Sequence, residues 1–425
     1  MRFCILTLGC KANQAESSCI EGCFISNSHI PVTLNDLPDV CIINTCSVTA
    51  KSDYQSRQLI RRAIRAGSKV FATGCYAELN RDEIRSISED IAVVSNKDKL
   101  LHFLNTGFLA NKAVAPTPDK RGRSRALLKI QDGCNSRCSY CIIPRSRGRS
   151  TSIEVADIIE EVRGLVWSGY NEVVLTGIHI GYYGLDLVPQ TTLSDLVELI
   201  LNNTTDIRVR LTSIEVNEFT GKLLSLLREG RLCRHVHIPL QSGDDPILRD
   251  MNRRYSTADF RRLIMDIHGD IDNVAIGTDV IVGYPGEDDE SFDRTYDFLA
   301  GLPLTYLHVF PFSRRRGTRA FDLPAQVSEE TKKRRASLLR QLSDRKKAAF
   351  MANQVGRVLP AIVEKSDGSL YSGLLLTAAG HATTDNYLKV EFEVNGGSVM
   401  VQERSLVSID ITGVKDGSLR GRLVP

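Results

Sequence analysis

Apolar and polar positions alternate in short blocks along the first hundred residues. Apolar runs at Phe3–Leu8, Asp39–Asn44, Lys69–Thr73 and Ile91–Val94 predict strands, and an amphipathic stretch at Ser52–Arg65 predicts a helix between two of them. Strand–helix alternation of this kind predicts a small doubly wound α/β unit over residues 1–110. Asn111–Arg125, with two prolines and clustered basic residues, predicts a linker. From residue 126 to about residue 350 the alternation resumes with longer helices. Candidate strands are Leu127–Gln131, Glu172–Thr176, Ile207–Thr212, His235–Pro239, Val274–Gly283 and Thr305–Pro311. Thr151 and Glu154 have the spacing of a capping box ahead of a helix at Val155–Ser168, which gathers Ile158, Ile159, Val162, Leu165 and Val166 on one side. Six strands, each mostly followed by a helix, predict a parallel barrel or part of one, a (β/α)6 TIM-like arrangement. A long charged helix pattern at Ser328–Met351 ends this unit. Beyond it, Gly356–Glu364, Ser369–Leu375, Tyr387–Phe392 and Ser405–Asp410 are short strand-like runs separated by Gly, Asn and Asp. They predict a small antiparallel β-barrel of the OB-like kind over residues 351–415. The predicted fold class is α/β with this β-barrel appended.

Composition narrows the class without naming a function. The chain has 425 residues, 42% apolar and 25% charged, the balance of a soluble globular protein with room for two or three domains. A net charge of +3 does not announce a nucleic-acid binder. Local runs do more: KRGRSR at Lys120–Arg125, RSRGR at Arg145–Arg149 and RRRGTR at Arg314–Arg319 point to an anionic partner. Arg145, Arg147, Arg314, Arg315 and Arg316 are the candidate contacts. The opening MRFCILTLGC lacks a signal-peptide core, and no stretch reaches the roughly 18–20 apolar residues of a membrane span. A cytoplasmic protein with reduced thiols and no membrane partner is expected. Its eleven cysteines then read as ligands, nucleophiles or buried small hydrophobes, not disulfides.

The stretch DGCNSRCSYCIIPRSRGR holds Cys134, Cys138 and Cys141. A structural zinc site would need a fourth Cys or His close by, and none follows within the next thirty residues. The Gly, Asn, Ser and Arg around them argue against a packing triplet. Three thiolates suit a [4Fe–4S] cluster with one iron open to a small molecule. Three more cysteines each lie just beyond a strand-like run: Cys10 in TLGCKANQ, Cys46 in INTCSVTAKSD and Cys75 in ATGCYAE. In a doubly wound unit the loops leaving the carboxyl ends of strands converge on one edge, so these three could hold a second cluster. Cys4 and Cys41 sit inside the strands and read as buried thiols, as do Cys19, Cys23 and Cys233.

The CxxxCxxC motif, with aromatic Tyr140 before its last cysteine, resembles the radical S-adenosylmethionine (SAM) signature. In that superfamily the open iron chelates SAM, and the reduced cluster cleaves it to a 5′-deoxyadenosyl radical that abstracts hydrogen from an unactivated C–H bond. Joined to TLGCKANQAES, INTCSVTAKSD, VVLTGIHIGYYG, HIPLQSGDD and TDVIVGYPGE, the motif resembles the methylthiotransferase family over nearly the whole chain. The resemblance implies an N-terminal domain whose auxiliary [4Fe–4S] cluster, on Cys10, Cys46 and Cys75, presents the sulfur. It implies a radical SAM partial barrel with the second [4Fe–4S] cluster on Cys134, Cys138 and Cys141, and a C-terminal TRAM domain that contacts RNA. Two SAM molecules are used, one to methylate sulfur and one to make the radical. By the same resemblance Tyr140 lies beside the cofactor, and Thr176 and Gly177 contact the SAM amino group. Ser213 and Glu215 bind the SAM ribose or position substrate, and Gly283 shapes the backbone against adenosine. Gln241 and Asp279, polar residues at strand ends where a barrel opens, are candidates for catalysis and equally for helix capping.

Within the family, LGCKxNQxES with NTCxVTxxSDxxSR resembles the branch that methylthiolates C2 of N6-threonylcarbamoyladenosine at tRNA position 37. The isopentenyladenosine branch typically opens with a GCQMN-like motif, and the branch acting on a ribosomal-protein aspartate with LGCPKN. The implied partners are the tRNA anticodon stem-loop and an electron donor such as flavodoxin or ferredoxin; the sulfur donor is not implied. The aromatic C2–H bond has no acidity to exploit, which is why a radical is required. The competing class is an RNA-binding iron–sulfur protein without sulfur insertion. Two features depart from the family pattern. The segment between Glu16 and Asp39 is shorter and more polar than usual, and Phe312 with the arginines at 314–316 stands where Tyr, Ser or Pro is common.

Overall fold

The structure is a computed structural model that describes residues 1–94, 123–364, 370–371, 374–377, 379–393 and 399–424. The first unit runs β1 (Arg2–Thr7), α1 (Lys11–Ser26), β2 (Ile30–Pro31), β3 (Val40–Thr45), α2 (Ala50–Arg65), β4 (Lys69–Gly74), α3 (Cys75–Leu79) and β5 (Ala92–Val93). Its strands pair in parallel in the order β2-β1-β3-β4-β5. Period-2 alternation gives the sheet two apolar faces. Phe3, Ile5 and Ile42 pack with Ile20 and Phe24 of α1, while Ile43, Val70 and Ala72 pack with Ile60 and Ala63 of α2. Because α1 and α2 leave on opposite faces, a crevice opens at the carboxyl ends of β1 and β3, the switch point of such sheets. The polar segment after Glu16 still completes α1 and then yields only a two-residue edge strand, with Pro31 blunting that edge. The boundary at residue 110 and most of the expected linker lie outside the described residues.

The second unit holds β6 (Ala126–Lys129), the antiparallel pair β7 (Gln131–Asp132) and β8 (Thr151–Ser152), then β9 (Glu172–Thr176), β10 (Arg208–Leu211), β11 (His235–His237), β12 (Ala275–Val282) and β13 (Tyr306–Pro311). Two parallel three-stranded sheets, β6-β9-β10 and β11-β12-β13, make a partial barrel. They are joined where Val209 bridges Leu232 and where the Ile214 N–H donates to the His237 carbonyl at 3.0 Å. Outward residues such as Val173, Leu175, Val209, Ile276, Val280 and Leu307 form one core with the surrounding helices. Burial of each such side chain contributes roughly 1.5–3 kcal/mol. Most of the alternate positions, which turn inward, are polar: Lys129, Glu172, Arg208, Arg210, His235, His237, Asp279, Tyr306 and His308. The expected capping box does not form. Thr151 pairs with Asp132 in the β7–β8 ladder, and Glu154 stands at the N-cap of helix Val155–Trp167 with no side-chain cap.

Helix Glu329–Ala352 leads into β14 (Val358–Val363), β15 (Leu370–Tyr371), β16 (Leu374–Thr377), β17 (Ala379–Thr384), β18 (Lys389–Glu393), β19 (Val399–Gln402), β20 (Leu406–Lys415) and β21 (Ser418–Val424). Five of these close a barrel in the order β14-β17-β18-β21-β20, while β15, β16 and β19 form a separate sheet. The β18–β21 pair is parallel where the sequence pattern predicts only antiparallel pairing, and β21 extends the barrel past residue 415. Among the described residues no helix is long and apolar enough to cross a membrane.

The turn after β17 plugs the base of the partial barrel. Arg208 donates to the carbonyls of Pro360 (3.2 Å) and Thr383 (3.1 Å), and Arg210 to those of Asp385 (2.9 Å) and Thr384 (3.0 Å). Both arginines grip Glu172, at 2.6 and 2.7 Å. Against burial, which pushes its carboxyl up, Arg210 and Arg208 pull Glu172 down to about 2.

Candidate functional site

Loops adjoining two sets of three thiols wall one interdomain space. Cys10, Cys46 and Cys75 leave the carboxyl ends of β1, β3 and β4, at the crevice. Gly9 and Gly74 make their approach possible, with φ of +97° and +93°. A Cβ on Gly9 would lie 2.9 Å from Cys46 Sγ, and one on Gly74 would lie 2.3 Å from the Thr45 carbonyl oxygen. Burial pushes the Cys10 and Cys46 thiols up, and the neighbouring Cys75 adds to the push on both. Clustered thiols that resist ionisation among themselves need a cationic centre to hold them as thiolates, so this donor set fits an iron–sulfur cluster.

Cys134, Cys138 and Cys141 form a compact loop in which the Cys141 N–H donates to the Cys138 carbonyl at 3.1 Å. Donors converge on its sulfurs. His179 Nδ1 lies 3.2 Å from Cys134 Sγ, the Ser136 N–H donates to the same sulfur at 3.4 Å, and Arg253 Nη1 donates to Cys138 Sγ at 3.3 Å. Each donor is oriented in turn: His179 Nε2 by Glu218 at 2.7 Å and Arg253 by its ion pair with Glu215. Burial pushes the Cys141 thiol up to about 12. Against burial, the His179 contact and the Ser136 amide hold Cys134 below its ordinary value. This set also fits a cluster, with N–H···S bonds of the kind that tune reduction potential.

Arg147 ties the first thiol set to the barrel unit. Its side chain is fully buried, donates through Nε to Cys75 Sγ at 3.3 Å, and pairs with Glu16 (2.5 Å) and Asp132 (3.0 Å) and with Asn13. It therefore cannot reach RNA, which corrects the expectation drawn from its basic run. Arg315 is corrected for the same reason: it donates to Ser47 Oγ at 2.7 Å and pairs with Asp53 at 2.6 Å, pinning α2 to the barrel. Arg145, Arg314 and Arg316 are exposed as expected. The Arg145 guanidinium lies on Gly317, which merges the two basic runs into one patch.

A cavity of about 220 Å³ opens between the thiol sets. Its walls are Val48 and Thr49 from the loop after Cys46, Tyr140–Ile143 around the last barrel cysteine, and Gln241, Asp279, Ile281 and Phe310 from the strand ends. Gln241 and Asp279 thus meet here. Asp279 lies 3.2 Å from His237 Nε2 and 3.3 Å from His308 Nδ1. Against burial, those imidazoles hold its carboxyl well below the ordinary carboxylate range, so it serves as a fixed anion and not as a proton acceptor near neutrality. Ser213 hydrogen-bonds His237 Nδ1 at 2.9 Å. A second cavity, also about 220 Å³, is lined by Cys138, His179, Glu215, Glu218 and Arg253. Thr176 is sealed at the end of β9, only 1% exposed, and Gly177 lies against Gln131, whose Oε1 accepts the amides of Ile178 and His179. Gly283 lines neither of these cavities; the Lys332 side chain covers it and its amide donates to Glu287 at 2.8 Å. Phe312 is buried in a small cluster with Tyr284 and Met251. Sequence reasoning missed His179, Arg253 and the inward role of Arg147. Only His179 carried a signal, two residues past a strand-end Gly; no spacing links Arg253 to Cys138.

A Radical SAM superfamily model matches residues 128–299, and a model described as Uncharacterized protein family UPF0004 matches residues 2–96. The chain is 36% identical to a protein of Bacillus subtilis (strain 168) over 91% of this chain and 89% of that one. It is 34% identical to one of Aquifex aeolicus (strain VF5), over 92% and 97%, and 33% identical to one of Chlamydia pneumoniae, over 99% and 98%. Each relative is named threonylcarbamoyladenosine tRNA methylthiotransferase MtaB. Among solved structures, the radical S-adenosylmethionine methyltransferase TsrM from Kitasatospora setae matches with a TM-score of 0.55 at 14% identity, covering 75% of this chain and 77% of that one. The cobalamin-dependent radical enzyme OxsB matches with a TM-score of 0.51 at 12% identity, over 80% and 55%. Those two likenesses establish the fold alone.

Proposed function

This chain belongs to the family of radical SAM threonylcarbamoyladenosine tRNA methylthiotransferases, and we infer that it adds a methylthio group to C2 of N6-threonylcarbamoyladenosine at position 37 of tRNA. One observation carries the reading: a single cavity is walled both by the loop after Cys46 and by Tyr140–Ile143. A base held there is flanked by both thiol sets. When bound, two [4Fe–4S] clusters and SAM supply the electron, the hydrogen-abstracting radical, the methyl group and the sulfur.

The residues divide the work of holding and positioning. Cys134, Cys138 and Cys141 would hold one cluster, with His179 and Arg253 donating to the sulfurs of Cys134 and Cys138. Cys10, Cys46 and Cys75 would hold the other, with Arg147 donating to Cys75. Tyr140 and Glu215 border the space for SAM, with Thr176, Gly177 and Ser213 at the adjoining strand ends. Gln241 and the ionised Asp279 position the base. Arg145, Arg314 and Arg316 meet the phosphates of the anticodon arm, and the C-terminal barrel adds further RNA contact. A small cytoplasmic electron carrier such as flavodoxin or ferredoxin supplies the electron.

The test is the reconstituted enzyme with SAM, a reductant and anticodon stem-loops carrying threonylcarbamoyladenosine, isopentenyladenosine or plain adenosine, read by nucleoside mass spectrometry. A 2-methylthio product on the first substrate is expected. Preference for the isopentenyl form overturns the substrate and keeps the reaction; turnover of none of them overturns the reading.

A further inference from the structure

The floor of the barrel lumen carries more positive charge than its own carboxylates neutralise. Lys11 Nζ and the guanidinium groups of Arg125 and Arg210 lie 5.4, 5.5 and 5.1 Å from the centre of the Tyr387 ring. Both carboxylate oxygens of Glu172 are already taken by Arg208 and Arg210. Glu364 approaches Arg125 only to 3.7 Å, and among the described residues Lys11 forms no ion pair. Lys11, Arg125, Arg208, Arg210 and Arg234 thus face Glu172, Glu364 and Asp385, five cations to three carboxylates. Against burial, Lys11, Arg125 and Arg210 hold the Tyr387 phenol below its ordinary value, the mark of that excess. Unpaired charge in so sheltered a place is costly unless an anion joins it.

The floor is reachable. Arg208, Arg210 and Glu172 are buried, whereas Lys11, Arg125 and Tyr387 are only partly so. On β13 the inward column Phe310, His308 and Tyr306 leads down from the cavity. His308 is 54% exposed, and Tyr306 hydrogen-bonds His235, whose ring lies 4.5 Å from that of Tyr387.

We propose that Lys11 and Arg125, backed by Arg210 and the Tyr387 ring, form a carboxylate subsite that reads the threonyl carboxylate of the substrate. The inference rests on the substrate reading above and names the residues that read it. In that nucleoside the ureido N–H can close a six-membered ring onto N1, which lays the amino acid along the N1–C2 edge of the purine. A carboxylate anchored at Lys11, the residue directly after Cys10, turns that edge toward the auxiliary thiols. Arg125 adds a planar fork suited to a carboxylate.

The experiment measures kcat/KM of the reconstituted enzyme on stem-loops carrying threonylcarbamoyladenosine, its neutral carboxamide analogue, or plain adenosine. Charge-assisted contacts of this kind predict that wild type prefers acid to amide by about ten- to a hundredfold. Lys11→Met and Arg125→Met should each collapse that ratio, and Arg125→Lys should restore part of it. A variant that had lost its cluster would instead lose acid and amide turnover together and show less iron, so Arg125→Met, which unlike Lys11→Met does not adjoin a cysteine, is decisive. Variants that keep the wild-type acid-to-amide ratio overturn the subsite. A wild type indifferent between threonylcarbamoyladenosine and adenosine overturns the substrate reading instead.

Discussion

Arg147 shows how much one side chain can decide. Its guanidinium touches the auxiliary thiol set through Cys75 and satisfies two carboxylates, Glu16 and Asp132, that belong to different domains. Arg147→Met would leave Glu16 with Lys129, at 2.8 Å, as its remaining cation, a loss of about 1–3 kcal/mol that chemical denaturation can measure. Arg147→Lys keeps the charge but not the planar fork, so the N–H···S contact is lost. A donor at sulfur favours the reduced, more negative cluster, so the auxiliary cluster of Arg147→Lys should show a lower reduction potential in an EPR-monitored titration. An unchanged potential would mean that the contact does not tune the cluster. The placement of the six cysteines was legible because each sits at a strand end or in a tight motif. Arg147 was not, because RSRGR reads as a phosphate-binding run until the fold brings Glu16 to it from 131 residues away. Arg253 was illegible for the same reason of distance.

At the scale of elements, period-2 alternation revealed nearly every strand that carries apolar residues on its outer face. It failed for β19 and β21, which lie outside the predicted runs, and for β17, whose AGHATT is not apolar and is buried because the small barrel closes over it. Helix Val155–Trp167 was equally legible, yet it carries a feature that spacing hides. Burial alone pushes the Glu161 carboxyl up to about 7. The unfolded value is about 4.3, so the folded state holds this proton more tightly. Its contribution to stability is fully present below pH of about 4 and is lost as pH rises through about 7. Above that the cost levels off at roughly 3–4 kcal/mol. Glu161→Gln should therefore leave the melting temperature unchanged at acid pH and raise it at pH above about 8. A variant no more stable than wild type at high pH would show that this carboxylate is solvated after all.

At the scale of the molecule, the three units are tied by arginines that point inward, while others on the same basic runs face solvent. Arg315 pins α2 to the barrel, and Arg208 with Arg210 pins the C-terminal barrel beneath the lumen. Charge counting along the chain treats Arg314, Arg315 and Arg316 as one run; the structure divides them. Arg314 stacks on Phe321 at 4.3 Å with its face open, Arg316 is exposed, and Arg315 is occupied by Asp53. This division is testable through salt. Each phosphate contact releases condensed counterions on binding, so log K against log salt should flatten by roughly 0.7–0.9 for every contact removed. Arg314→Ala and Arg316→Ala should each show that flattening on an anticodon stem-loop, with the preference for threonylcarbamoyladenosine intact, since phosphate contacts carry no base information. Arg315→Ala should leave the slope as it is and instead lower the unfolding free energy read from denaturation, by about 1–3 kcal/mol for an unpaired, largely buried carboxylate. If Arg315→Ala flattened the slope as much as its neighbours do, Arg315 would have to leave Asp53 when tRNA binds, and the interdomain contact would be part of RNA recognition.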